Sequence, residues 1–408
     1  MSAVWGVIDQ AVSSASNLLL VATIARVSDV AGFGEFSLVY LFYGVAIGVM
    51  RSGGGDILLL QTPGMPSELR SSSRAVLGLA LGLGVIAATI TLIATALSGE
   101  SLDSVGAALG LVLAVVLVQD AFRYCLFAAG LPAQAALSDF VWLSVQVALT
   151  AGLLLVLGHL TAPEVVLAWA AGALASVAVA LWQTRILPAF RGVGAWIGRE
   201  RARAASFVAD FLLMSGANYF AVYLVALFAS VSAVAAVRGS AFVFAPLDAL
   251  SLGVRIFVLP AFARAMLLDS AVLRRRAGLV AAASGAGTAL WTVLALLLPH
   301  RAGTALLGPT WDVTRPLIFA MAIASGARYV ALPFQTALRA LGDVRRIVIL
   351  RVLVTTLVLT ATVIGTLASG ARGAVTALAI AYSADAVLSW GAFSLSSRSH
   401  ALRNSTPQ

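Results

Sequence analysis

The sequence contains no lysine, one cysteine, three histidines and no hydrophilic stretch long enough to form a soluble domain of its own. Of its 408 residues 61% are hydrophobic and only 11% are charged, against about a quarter charged in an ordinary globular protein. Each scarcity removes a class of function. A lone Cys125 excludes an internal disulfide and any cysteine-based metal cluster. His159, His300 and His400 are too scattered for a metal site or a nucleophile–base pair. Short loops without paired acids or a histidine cluster leave little room for chemistry, so no enzyme is expected. All 26 basic residues are arginine, and the formal charge is +9. They fall between apolar runs, so topology accounts for them better than nucleic-acid binding does.

What the chain does have is apolar runs of roughly 20 residues from end to end, each long enough to cross a bilayer. The fold class expected is all-α, a polytopic membrane protein. Twelve spans are read at 4–25, 36–57, 75–98, 104–122, 137–158, 164–185, 206–230, 236–259, 277–298, 315–337, 347–369 and 373–395. The first is read as a retained helix rather than a cleaved leader, because no positive charge precedes it and Asp9 and Asn17 interrupt it. Turn chemistry separates the runs: "GFGE" at 32–35, "TPGMPSE" at 62–68, "GLPAQ" at 130–134, "LLGPTWD" at 306–312 and "LGDVRR" at 341–346. Pro163 and Pro316 are placed at the first positions of helices.

Arginine placement sets an orientation. Seventeen arginines lie in the even-numbered loops and the tail, whereas Arg26, Arg301, Arg315 and Arg372 are alone in the odd-numbered loops. The positive-inside rule therefore puts both termini in the cytoplasm, which an even number of spans also requires. Arg51, Arg255 and Arg351, near cytoplasmic ends of spans, can snorkel to headgroups. Arg328 lies some thirteen residues into its span, about 20 Å deep at 1.5 Å per residue.

The basic stretch "ILPAFRGVGAWIGRERARAA" at 186–205 divides the spans into two sets of six. The pattern D-x4-S-x2-N recurs in the first helix of each half, as Asp9, Ser14, Asn17 and as Asp210, Ser215, Asn218. Arg51 and Arg255 match after a three-residue shift, and Gly130 and Gly342 open similar turns. The expected organisation is an N-terminal six-helix bundle at 1–190, a basic cytoplasmic linker at 191–205, a C-terminal six-helix bundle at 206–396 and a tail at 397–408. Two parallel repeats about an axis along the membrane normal are a known plan for transporters.

"GVIDQAVSSASNLLL" at 6–20 places six polar residues in an otherwise apolar helix. At 100° per residue Asp9, Gln10, Ser13, Ser14, Ser16 and Asn17 fall within an arc of about 160°. A charge at the bilayer centre costs roughly 2.5–3.5 kcal/mol on insertion scales, so such groups face protein or a wet cavity. Serine and asparagine also join helices by hydrogen bonds, and an aspartate in a first turn gains from the helix dipole. The substrate-cavity candidates are Asp9, Ser13, Asn17, Asp210, Ser215, Asn218, Asp248 and Arg328. Asp248, beside Pro246, and Arg328 lie deep in different spans and are candidates for a buried pair or a substrate contact. Asp120 and Arg123, an i,i+3 pair, read as a structural pair at the interface.

"VIDQAVSSASNLLLVATIARVSDVAGFGEFSLVY", with Ala25-Arg26 closing a polar first helix and Phe33-Gly34 leading into the second, resembles the amino-terminal signature of bacterial polysaccharide-biosynthesis membrane proteins. These are oligosaccharide-lipid flippases of the multidrug/oligosaccharidyl-lipid/polysaccharide exporter superfamily. "VQDAFRYCLFAAGLPAQAALSDFVWL" at 118–143, "LLGPTW" at 306–311 and "LRALGDVRR" at 338–346 are similar to later parts of that family. The resemblance implies two pseudo-symmetric six-helix bundles in a V-shaped exporter fold that opens alternately to each side of the membrane. It implies a cationic cavity for the headgroup of a polyprenyl-linked glycan, whose tail stays among the membrane lipids. Glycosyltransferases or a polymerase of the same pathway are the expected partners, and nucleic acid is not.

The function expected is thus the flipping or export of a lipid-linked oligosaccharide or related cell-envelope polysaccharide precursor across the bacterial cytoplasmic membrane. A cation-coupled multidrug exporter of the same superfamily, with Asp9 or Asp210 as its proton or sodium site, is the alternative. A membrane scaffold for glycan assembly is the third reading. No cofactor is expected, and coupling to Na+ or H+ stays open.

Overall fold

A computed structural model of the chain describes residues 2–60, 66–98, 104–248, 250–251, 258, 262 and 270–405. The expected turn residues 62–65, Arg255, which was matched to Arg51, Arg264 and most of the last third of span eight lie outside them.

The described chain is helical from end to end. The helices are α1 (Ser2–Val27), α2 (Val30–Met50, continued through a π-turn at Arg51–Gly55 to Asp56–Leu59), α3 (Pro66–Leu97), α4 (Val105–Ala128), α5 (Pro132–Leu157) and α6 (Ala162–Thr184). Then come α7 (Val193–Phe211, a π-turn Leu212–Gly216, then Ala217–Phe228), α8 (Val231–Val243), α9 (Ser270–Leu296) and the short α10 (His300–Leu307). Last are α11 (Thr310–Thr314, a 3-10 turn Arg315–Leu317, then Ile318–Ala340) and α12 (Val344–Ser405). Helix α12 is broken at Ser369 and Gly370, whose backbone leaves the helical region, so it is two arms. That break falls where spans eleven and twelve were expected to part. Among the described residues nine helices are long and apolar enough to cross a membrane, α12 counted once, and α8 and the last part of α7 are shorter apolar helices. The chain is a multi-pass membrane protein.

Local chemistry explains the ends. Asp29 Oδ1 accepts from Gly32 N at 2.7 Å and starts α2, so "GFGE" is the first turn of a helix rather than a break. Ser104 caps α4 through Ala107 N at 3.2 Å, and Thr161 with Glu164 forms a capping box on α6. Gly158 ends α5 with a φ of 73°, the left-handed conformation that glycine adopts without strain. Pro163 does sit in the first turn of α6, whereas Pro316 lies in the 3-10 turn inside α11, which begins at Thr310. The basic stretch after span six is helical from Val193, with Trp196 buried and Arg203 exposed.

The chain divides into two compact units, Met1–Tyr219 with Leu306–Pro309, and Phe220–Ala305 with Thr310–Gln408. Met50, Ile57, Val76, Leu77, Phe122 and Trp196 are part of the core of the first. Phe262, Leu273, Phe334, Leu338, Leu350 and Phe393 are part of the core of the second. In the second unit the arms of α12 pack so closely that a Cβ at Gly365 would lie 2.3 Å from the carbonyl oxygen of Gly373. Near their far ends Arg346 Nη1 donates to Asp343 Oδ2 at 2.8 Å and to Ser396 Oγ at 2.6 Å, and Ser396 donates to Asp343.

Gly365→Val is expected to destabilise the protein by about 1–3 kcal/mol through overpacking. Gly152→Val, where nothing lies within 4 Å of the added Cβ, is the matched control for unfolding in mixed micelles. The Ser396 hydroxyl, then Arg346, holds the Asp343 carboxyl, which lies outside the spans, below its usual range. The stabilisation this gives is complete above the unfolded carboxylate value of about 3.9 and is lost as pH falls through the lower folded value. The stability gap between Asp343→Asn and the native protein should therefore be full at neutral pH and close on acidification.

Candidate functional site

The first unit gathers its charges around Arg123. Asp120 and Arg123 lie one turn apart on α4, Asp9 comes from α1 and Asp139 from the start of α5. Arg123 Nη1 is 3.1 Å from Asp120 Oδ1, its Nε is 3.0 Å from Asp139 Oδ2, and Nη2 donates to Asp9. The Asp139 contact is an ion pair without hydrogen-bond alignment. All four side chains are buried, Arg123 at 6% exposure and the carboxylates at 1–2%. Arg51, at the π-turn of α2, grips Asp120 with two nitrogens, Nη2 at 2.6 Å and Nε at 2.9 Å. Its neighbour Gly55 makes that reach feasible, because a Cβ there would lie 2.6 Å from the Tyr124 ring.

Neutral groups complete the cluster. Gln119 Nε2 donates to Asp139 Oδ1 at 2.7 Å and to Ser176 Oγ, on α6, at 3.0 Å. Ser16 Oγ donates to Gln146 Oε1 at 2.6 Å, and Gln146 Nε2 returns a bond to the Ser16 carbonyl at 3.2 Å. Three carboxylates thus face two guanidinium groups, and Asp9 Oδ1 is buried without a hydrogen-bond partner. An orphaned carboxylate oxygen in an apolar lobe is costly.

The polar stripe of α1 does not act as one surface. Asp9 and Ser16 turn inward to the cluster. Asn17 Nδ2 donates to the Ser13 carbonyl at 3.0 Å, and Tyr40 donates to Asn17 Oδ1 at 3.2 Å, with Ser13 and Asn17 half-buried. Gln10 is exposed and bonds Ser14 at 3.3 Å. Asp210, Ser215 and Asn218 are half-buried along α7, in the same unit as Asp9. There α7 packs on α2 with the rings of Phe211 and Tyr219 over Gly48 and Gly44.

Asp248 and Arg328 belong to the second unit and do pair, through Arg328 Nη2 and Asp248 Oδ1. Both stay accessible, at 37% for Arg328 and 48% for Asp248. Arg328 Cζ stands 5.4 Å from the Tyr329 ring centroid, a cation–π contact. Tyr329 also lines a cavity of about 20 Å³, with Ser251, Ser284, Pro333 and Thr336 on its walls, enough for about one water.

Two readings from the sequence need correction. Asp120 and Arg123 are not an interfacial pair but the buried centre of a five-charge network, and Arg51 holds Asp120 rather than simply snorkelling. Arg51, Asp120, Arg123 and Asp139 were absent from the expected site. The signal was present, since each sits toward the same expected cytoplasmic end of its span and together they nearly balance.

No protein-family model and no curated protein sequence matches the chain, but solved structures do. One is the inward-facing conformation of a multidrug resistance MATE family transporter of the MOP superfamily, with TM-score 0.67 and 12% identity over 100% of this chain and 96% of that one. A Vibrio cholerae MATE transporter follows at TM-score 0.60 and 14% identity, over 98% and 96%. A MOP superfamily transporter from Pyrococcus furiosus, described as having a binding pocket of reversed polarity that suggests a different function, gives 0.57 and 14%, over 99% and 95%. The chain has the all-helical exporter fold of these transporters.

Arg123→Leu should cost about 3–5 kcal/mol, since it strands buried carboxylates. Asp139→Asn in the same chain should recover part of that loss in a double-mutant cycle of unfolding in mixed micelles. Arg203→Leu, which removes a largely exposed ion pair to Glu200, should change stability by about 1 kcal/mol or less.

Proposed function

We propose that the chain is an alternating-access transporter of a phosphate-bearing glycan precursor. A lipid-linked oligosaccharide, or a related cell-envelope polysaccharide precursor, is the cargo class. The carrying observation is Arg328, a half-exposed guanidinium deep in a membrane helix, engaged by Asp248 and stacked near Tyr329. A guanidinium offers paired donors that match phosphate oxygens, and Asp248 holds it without enclosing it. The membrane proposed is the bacterial cytoplasmic membrane, with both termini in the cytoplasm and membrane lipids around the glycan's carrier chain.

A second reading, cation-driven multidrug export, has its own support. The buried cluster at Arg123 holds one carboxylate more than its guanidiniums neutralise, and Asp9 Oδ1 is left over. Several structural neighbours are multidrug transporters by name.

Reconstitution of the full chain in liposomes with a fluorescent lipid-linked oligosaccharide separates the two. Under the first reading Arg328→Ala lowers flipping by about tenfold or more, the worth of a charged hydrogen bond, and Arg328→Lys recovers only part of it. Flipping that is unchanged in Arg328→Ala removes the glycan reading. Drug efflux by the native protein, abolished in Asp9→Asn and untouched in Arg328→Ala, establishes the second.

A further inference from the structure

The second unit contains a buried carboxylate outside its ion pairs. Asp385, on the second arm of α12, is 4% exposed. Gln335 Nε2, on α11, donates to its two oxygens at 3.1 and 3.2 Å, and Ser389 Oγ donates to Oδ1 at 2.9 Å. Gln335 Nε2 is also 3.1 Å from Ser389 Oγ, and Ser389 is fully buried. Among the described residues the charged groups on helices packed against α12 are Arg238 on α8, Arg274, Arg275 and Arg276 on α9, and Asp312, Arg315, Arg328 and Arg339 on α11. No ion pair among the described residues includes Asp385. Tyr382, one turn earlier, is in electrostatic reach of Asp385, Arg328 and Asp248, and Tyr329 on α11 is in reach of Arg328 and Asp248.

We propose that Asp385 is a proton-binding site of the second unit, with Gln335 and Ser389 as the groups that hold its ionised form. An intramembrane carboxylate held by neutral donors alone keeps its full charge in an apolar surround, and a proton removes that charge where no guanidinium does. The donors argue for a proton over a metal ion, since amide N–H and hydroxyl O–H point at the carboxylate and offer it no companion oxygen ligands. The proton comes from water and adds to one carboxylate oxygen, with no other bond made or broken. The neutral acid then presents an O–H where Gln335 Nε2 had donated, so the Gln335 amide must turn its oxygen inward or let go. That contact joins α11 to α12 two residues beyond Pro333, where α11 lacks a backbone N–H and bends at low cost. Pro333 and Thr336, which bracket Gln335 in sequence, line the water-sized cavity.

This assignment does not depend on the cargo and is tested without transport. Infrared difference spectra of the purified full chain in lipid nanodiscs should show a protonated-carboxyl band that grows as the pH is lowered. The band should vanish in Asp385→Asn and persist in Asp9→Asn. In Gln335→Leu and Ser389→Ala it should persist to a higher pH, because each change removes a donor to the ionised form. A band equally strong in Asp385→Asn overturns the proposal. So does a titration unmoved by both donor substitutions, which would make Asp385 a structural contact only.

Discussion

A guanidinium inside a membrane lobe has no water to answer it, and Arg123 makes the rest of the first unit answer instead. Its contacts reach α1 through Asp9, α5 through Asp139 and α2 through Asp120, which Arg51 also holds. Gln119 extends the network to α6. Five helices are thereby tied by groups that would each be unstable alone in an apolar surround. The network narrows how these helices can pack more than it adds net stability, because its desolvation cost offsets much of its attraction. It also explains local features that otherwise look like faults, such as the π-turn at Arg51–Gly55 and the glycine that lets Tyr124 close on α2.

The second unit treats its polar groups differently. Among its described residues the ion pair of Arg328 with Asp248 is open enough to meet a ligand, and the buried Asp385 is served by an amide and a hydroxyl. The two units therefore carry unequal electrostatics. The first encloses an excess of negative charge, whereas the second presents a cation that can be approached.

Much of this was legible from residue order, for reasons that can be named. Apolar runs marked the spans because a bilayer demands a fixed length of apolar helix, and the break at Ser369–Gly370 fell where the pattern stopped. Asp248 and Arg328 were expected as a buried pair or a substrate contact, because two opposite charges deep in different spans of one half have few other ways to be tolerated, and they do pair, although partly exposed. The error at "GFGE" arose because glycine and phenylalanine suit a helix start as well as a turn, and only the Asp29 cap decides between them. Asp120 and Arg123 were misread because an i,i+3 pair explains itself locally. Nothing in their spacing reports that three other helices bring Asp9, Asp139 and Arg51 to them.

The sequence by itself determined a multi-pass helical membrane protein, its approximate spans and the identity of the few charges it admits to them. These follow from composition and one-dimensional periodicity, which the bilayer reads directly. Tertiary structure alone decided which charges meet, which carboxylate oxygen is left over, and that Asp385 faces neutral donors rather than an arginine. Those outcomes depend on helix rotation and close approach, where a glycine such as Gly55 or a π-turn of five residues redirects a side chain. No local pattern along the chain encodes them.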